Sequence, residues 1–147
     1  MWDEIDLRNR TLRIAAARMK GKRPLDLPLT DYVHNLLTAR RELGKDKYVF
    51  PANSASGHIE EPKFPLNQVA LTCGVRVSVH DLRRTYLTVA ESCDVSSMVM
   101  KALVGHSNGS DVTAGYVQMS VDRLREPAQR ITDKMKALTG AVLSSRR

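Results

Sequence analysis

The sequence predicts a mainly helical α+β chain with a small three-stranded sheet near its N-terminus. Two observations carry this. Short apolar runs separated by turn residues occupy the first 30 positions, and apolar residues at helical spacing dominate the rest. The 147 residues suffice for one domain with a hydrophobic core, and 42% hydrophobic against 27% charged residues excludes a disordered chain.

The strand readings come first. Ile5–Leu7 and Thr11–Ile14 flank Arg8-Asn9-Arg10, a hairpin-sized gap with a turn-forming asparagine. Arg23–Pro28 follows Gly21 and alternates Leu25 and Leu27 with polar neighbours, which predicts a third strand. Between Arg8 and Arg23 stand seven basic residues and no acidic one. Such a strip either defends a solvated hairpin edge or faces phosphates.

Helices follow. Thr30 is placed to cap a helix whose Val33, Leu36, Leu37, Arg40 and Leu43 share a face, stopped by Gly44. Pro51–Pro65 reads as a surface loop, and a short helix runs from about Leu66 to Gly74. Ser78 with Asp81 three residues on forms a capping-box pattern that opens a helix at Val79. Leu82, Tyr86, Val89 and Cys93 should face its core, while His80, Arg83 and Arg84 share another face near its start. Ser96–Val104 is a further helix that buries Val99, Met100 and Leu103 and stops at Gly105. Asp111 can start a short helix carrying Tyr116. Val121, Leu124, Ala128, Ile131, Met135 and Leu138 form one apolar stripe, and Pro127 places the main helix from about its own position onward. Residues after Gly140 are expected to fray.

The net charge of +7 favours a polyanionic partner without specifying one. Cys73 and Cys93 are too few for a disulfide scaffold, which points to a reducing cytoplasm. No apolar run approaches the roughly 18 residues of a membrane span, and Met1-Trp2-Asp3-Glu4 does not open a signal peptide. A cytoplasmic protein with no membrane partner is the expectation.

Lys20, His80, Arg83, His106 and Tyr116 carry the chemistry. Each has a bland explanation: a solvated lysine, a chance His–Arg spacing, a histidine on helix-end carbonyls, a half-buried aromatic. Together they form a pattern. His80-Asp81-Leu82-Arg83-Arg84-Thr85, then Leu103-Val104-Gly105-His106-Ser107, then Tyr116 resemble the box of the tyrosine recombinases, the phage-integrase type. Trp2 to Leu7 resembles the stretch after that family's first catalytic arginine. Met19-Lys20-Gly21-Lys22-Arg23-Pro24 through Leu29 resembles its β-hairpin lysine segment, and Tyr48-Val49-Phe50-Pro51 also has a counterpart. The resemblance runs from residue 1 to about 135 and is closest in style to integrases of prophages and integrative islands.

The resemblance implies the helical catalytic domain of these enzymes with its three-stranded antiparallel sheet, and site-specific recombination of double-stranded DNA. Attack on a phosphodiester builds charge on the non-bridging oxygens, which forked guanidinium donors such as Arg83 match. His106 would donate to the same phosphate. Tyr116 would attack and form a 3′-phosphotyrosyl link, with His80 as the residue that handles its proton. Lys20 would protonate the departing 5′-oxygen, with Lys22 as the alternative. Arg18, Lys22, Arg23 and Arg84 are candidate DNA contacts. No cofactor and no metal is expected. The family's first arginine precedes the Trp2 segment, so residues 1–147 read as the C-terminal catalytic domain without its first part or its N-terminal DNA-binding domain, and inactive alone. Other recombinase protomers are expected partners, with the stripe Ala128, Ile131, Met135 and Leu138 either docking on a neighbour or packing at home. A non-catalytic DNA-binding remnant is the alternative. An RNA-binding protein would explain the charge but not the order of motifs, and aromatics make up only 5% of the chain.

Overall fold

A hairpin turn sets the first architecture. The computed structural model describes residues 1–19, 22–44, 46–106 and 119–140. Strands β1 (Ile5–Asp6), β2 (Thr11–Ile14) and β3 (Leu25–Pro28) form an antiparallel sheet in that order. Asp6 organises the first turn by accepting from Asn9 N at 2.8 Å and Asn9 Nδ2 at 2.7 Å. These two bonds, the backbone one first, hold the Asp6 carboxyl below its usual range. Leu12 pairs with Leu27 and Arg13 with Asp26, whose charges meet at 3.6 Å across the strands. The first strand ends at Asp6 and the third begins at Leu25, each shorter than the sequence pattern predicts.

Among the described residues five α-helices follow: α1 (Asp31–Glu42), α2 (Lys63–Cys73), α3 (Val79–Glu91), α4 (Ser97–Leu103) and α5 (Val121–Thr139). The expected α+β class is therefore observed. The main core gathers Val89 and Ala90 of α3, Val95, Leu103 of α4, and Leu124, Ala128 and Ile131 of α5, with Leu27 of the sheet packed against it. A second cluster joins Leu29, Leu37 and Val49 to Trp2, Ile5, Leu7 and Leu12.

Several sequence expectations need correction. α5 starts at Val121 and contains Pro127, although an interior proline loses a hydrogen bond and costs about 3 kcal/mol. Burial of Leu124 before the proline and Ala128 after it accounts for the continuity, because both must face the same core. α2 begins three residues before Leu66, with Pro65 in its first turn, where its missing N–H has no helical partner to lose. On α1 only Leu37 is buried, and Val33, Leu36 and the C-cap Leu43 stay exposed, with no other helix covering them among the described residues. Leu82 is 52% exposed, since the core of α3 begins only one turn later, at Tyr86.

Thr30 makes no side-chain cap. It is buried, with its hydroxyl accepting from Thr132 Oγ1 at 3.3 Å, and the capping role passes to Gln129, whose Oε1 accepts from Asp31 N at 2.9 Å. Arg125 donates to the carbonyls of Asn9 and Arg10 at 3.0 and 3.3 Å, which ties α5 to the β1–β2 turn. Ala128 and Ile131 are thus committed to their own core, and only Leu138 remains at the exposed end of the stripe. Among the described residues, no helix is long and apolar enough to cross a membrane.

Candidate nucleic-acid interface

α3 is fixed at its start by the capping box the sequence predicts. Ser78 Oγ accepts from Asp81 N at 3.2 Å, and Asp81 Oδ2 accepts from Ser78 N at 3.0 Å and Ser78 Oγ at 2.6 Å. The Ser78 hydroxyl and backbone bonds hold the Asp81 carboxyl below its usual range, helped by the charges of Arg84 and His80. The hydrogen bonds of the Asp81 carboxylate thus go to Ser78 at the helix start. His80, Arg83 and Arg84 are exposed, and helical spacing puts them on one face with Leu87, Thr88 and Glu91.

His106 reaches that face from α4. Gly105 takes φ 63°, Gly105 N donates to Ala102 O at 3.2 Å, and His106 N donates to Lys101 O at 2.9 Å. This is a Schellman ending, in which glycine accepts the left-handed conformation at no steric cost. It turns His106 into a groove of about 350 Å³ lined by Leu87, Thr88 and Glu91 of α3 and by Ser97, Met100, Lys101 and Val104. The groove thus joins His106 to the α3 surface that carries His80, Arg83 and Arg84 one to two turns earlier.

The basic β2–β3 connection lies against the same turn. Among the described residues, Met19 in it and Leu25 at the start of β3 are the side chains nearest Gly105, while Lys22 and Arg23 are exposed and Lys22 has φ 48°. Arg18 pairs with Glu4 and is drawn toward the first turn of the chain. Lys20 and Tyr116, together with the short helix expected from Asp111, lie outside the described residues.

Sequence reading missed Lys101, whose only signal is a basic residue in the last turn of a helix. It also missed the Leu25 and Met19 contact with Gly105, which no local pattern announces. Tyr86, the tyrosine nearest the His80 motif, packs against the main core, and burial pushes its phenol up.

Comparison with known proteins agrees with the motif reading. The Phage integrase family model matches residues 1–123. Prophage integrase IntF of Escherichia coli K12 is 29% identical over 136 residues, covering 88% of this chain and 28% of that protein. Prophage integrase IntS of the same strain is 24% identical, over 88% of this chain and 34% of that protein. The integrase of Shigella phage Sf6 is 25% identical, over 87% of this chain and 34% of that protein. The chain therefore spans about a third of the length of these relatives. No solved structure gives a significant match. With His80, Arg83, His106 and Tyr116 all inside the matched residues, the chain belongs to the phage integrase family.

Proposed function

We propose that this chain supplies the strand-cleaving part of a site-specific DNA recombinase that acts through a 3′-phosphotyrosyl intermediate. The observation that carries the reading is the groove between α3 and α4. Its Schellman turn brings His106 to the helix face that presents His80, Arg83 and Arg84. Arg83 offers a rigid fork for two phosphate oxygens, and His106 adds a donor from the other wall. Both would stabilise charge that grows on the phosphate during attack, which is where a fixed donor accelerates most.

Tyr116 is the attacking group in this reading, and His80 handles its phenolic proton. Tyr86 is unsuited to that role, because a core-packed phenol with a raised pKa neither reaches DNA nor ionises readily. Lys20, or Lys22 beside it, protonates the departing 5′-oxygen. The partner is double-stranded DNA, held through phosphate contacts from Lys22, Arg23 and Arg84. Arg18 contributes less, being paired with Glu4. Assembly with further protomers belongs to the reading, but the α5 stripe offers them little beyond Leu138.

The test is a nicked suicide substrate carrying the recombination site, incubated with the gene product that contains this chain. A shifted band that survives denaturant is expected, and Tyr116→Phe should abolish it while DNA binding persists. An adduct formed by the Phe variant would remove Tyr116 as nucleophile. Residues 1–147 tested alone should bind DNA without forming the adduct, because they span only about a third of the length of the integrases they match. Binding with no adduct from the whole gene product would instead favour a non-catalytic remnant.

A further inference from the structure

His106 is held only as well as the turn that bears it. Among the described residues, Leu25 and Met19 give that turn its close tertiary support. A methyl group on Gly105 would lie 2.8 Å from Leu25 Cδ2 and 3.4 Å from Met19 Cε, so the glycine backbone rests directly on these two side chains. Leu25 opens β3, and Met19 lies beyond the end of β2. The two thus flank, in sequence, the basic connection of Lys20, Lys22 and Arg23. Leu25 is also fixed from its other side by the pairing of β3 with β2, where it stands opposite Ile14.

We infer that Leu25 is a positioning residue for DNA cleavage, acting through Gly105 on His106. Its δ-methyl groups seat the Schellman turn and set the imidazole relative to the basic β2–β3 connection. Cleavage needs both sides of the phosphate to be engaged at once, and a misplacement of about 1 Å can cost roughly 10²-fold in rate. Truncating Leu25 removes the seat without removing any group that touches DNA. Lys22 and Arg23 would still bind phosphate, so affinity and cleavage should separate. The inference rests on the recombinase reading for its functional consequence, and on the Gly105 contact for its structural one.

The experiment compares Leu25→Ala, Leu25→Met and Leu37→Ala in the gene product that contains this chain. Leu37 lies in the second core cluster and serves as a control for lost stability alone. Leu25→Ala should lower the rate of covalent adduct formation at saturating nicked DNA by about tenfold or more, while the Kd for DNA changes by less than about twofold. Leu25→Met, which keeps volume, should restore most of the rate. Leu37→Ala should leave the rate per folded molecule unchanged. A second readout is the His106 ring resonance, which Leu25→Ala should shift and Leu37→Ala should not. An unmoved resonance, or an adduct rate that Leu25→Ala lowers no further than Leu37→Ala does, overturns the inference. Failure of the unmodified protein to form any adduct would sink the recombinase reading, and the resonance would still decide whether Leu25 positions His106.

Discussion

α5 and α2 are both helices with apolar residues on one side, yet they have opposite fates. α5 buries Leu124, Ala128 and Ile131 against α3, α4 and β3, and sends Arg125, Gln129 and Thr132 to bond the β1–β2 turn and the start of α1. α2 buries no residue, with Phe64 75% and Leu71 78% exposed. Its side-chain hydrogen bonds are internal, from Thr72 to Gln68 O and from Cys73 to Val69 O. The difference teaches that helical spacing defines a face, whereas stability comes from what covers it.

The largest effect should therefore come from α5. Ile131 is fully buried between the elements of the main core. Ile131→Ala should cost about 2–5 kcal/mol, from lost apolar contact plus the cavity left behind. Chemical denaturation followed by circular dichroism checks this. A loss below about 1 kcal/mol would mean that α5 does not organise the core, and the contrast with α2 would collapse.

Legibility followed the same division. The helix starts at Ser78 and Ser96 and the stops at Gly74, Gly105 and Gly140 could be read locally, because caps depend on a few neighbouring residues. The α5 stripe was readable from Val121 onward, but the start of its helix was not, since Pro127 signals a boundary that tertiary packing overrides. Thr30 illustrates the converse error. Its residue type fits a cap, but its burial beside Thr132 diverts the hydroxyl and leaves Gln129, 98 residues from Asp31, to cap the helix. Within the site, His80, Arg83 and His106 were legible from motif order. Lys101 and the Leu25 seat were not, because they depend on how α4 and β3 meet.

A smaller effect is expected where α3 begins. Ser78→Ala removes the hydroxyl that accepts from Asp81 N, and such caps are worth about 1 kcal/mol. The same box gives a pH signature. The Asp81 carboxyl sits below its ordinary range when folded, chiefly through Ser78. Its contribution is therefore present above the unfolded carboxylate value and is lost as pH falls through the lower folded value. Stability curves of the parent and Asp81→Asn should thus converge in strong acid and separate by neutral pH. Parallel curves across that range would show that the Ser78–Asp81 bonds do not hold the helix start in solution.

The smallest effect sharpens the comparison from the other side. Phe64→Ser and Leu71→Ser replace large apolar groups that the fold leaves mostly in water. Neither removes a core contact, so neither creates a cavity, and each should change stability by no more than about 0.5 kcal/mol. Neither position carries a side-chain hydrogen bond, and serine is only modestly poorer than phenylalanine or leucine as a helix former. The same chemical change at Ile131 would bury an unsatisfied hydroxyl in the core and be severe. Urea midpoints measured at equal slope decide the matter. A cost above about 1.5 kcal/mol at Phe64 would mean that α2 packs against something in solution, and its apolar side would then belong with that of α5 as a covered face.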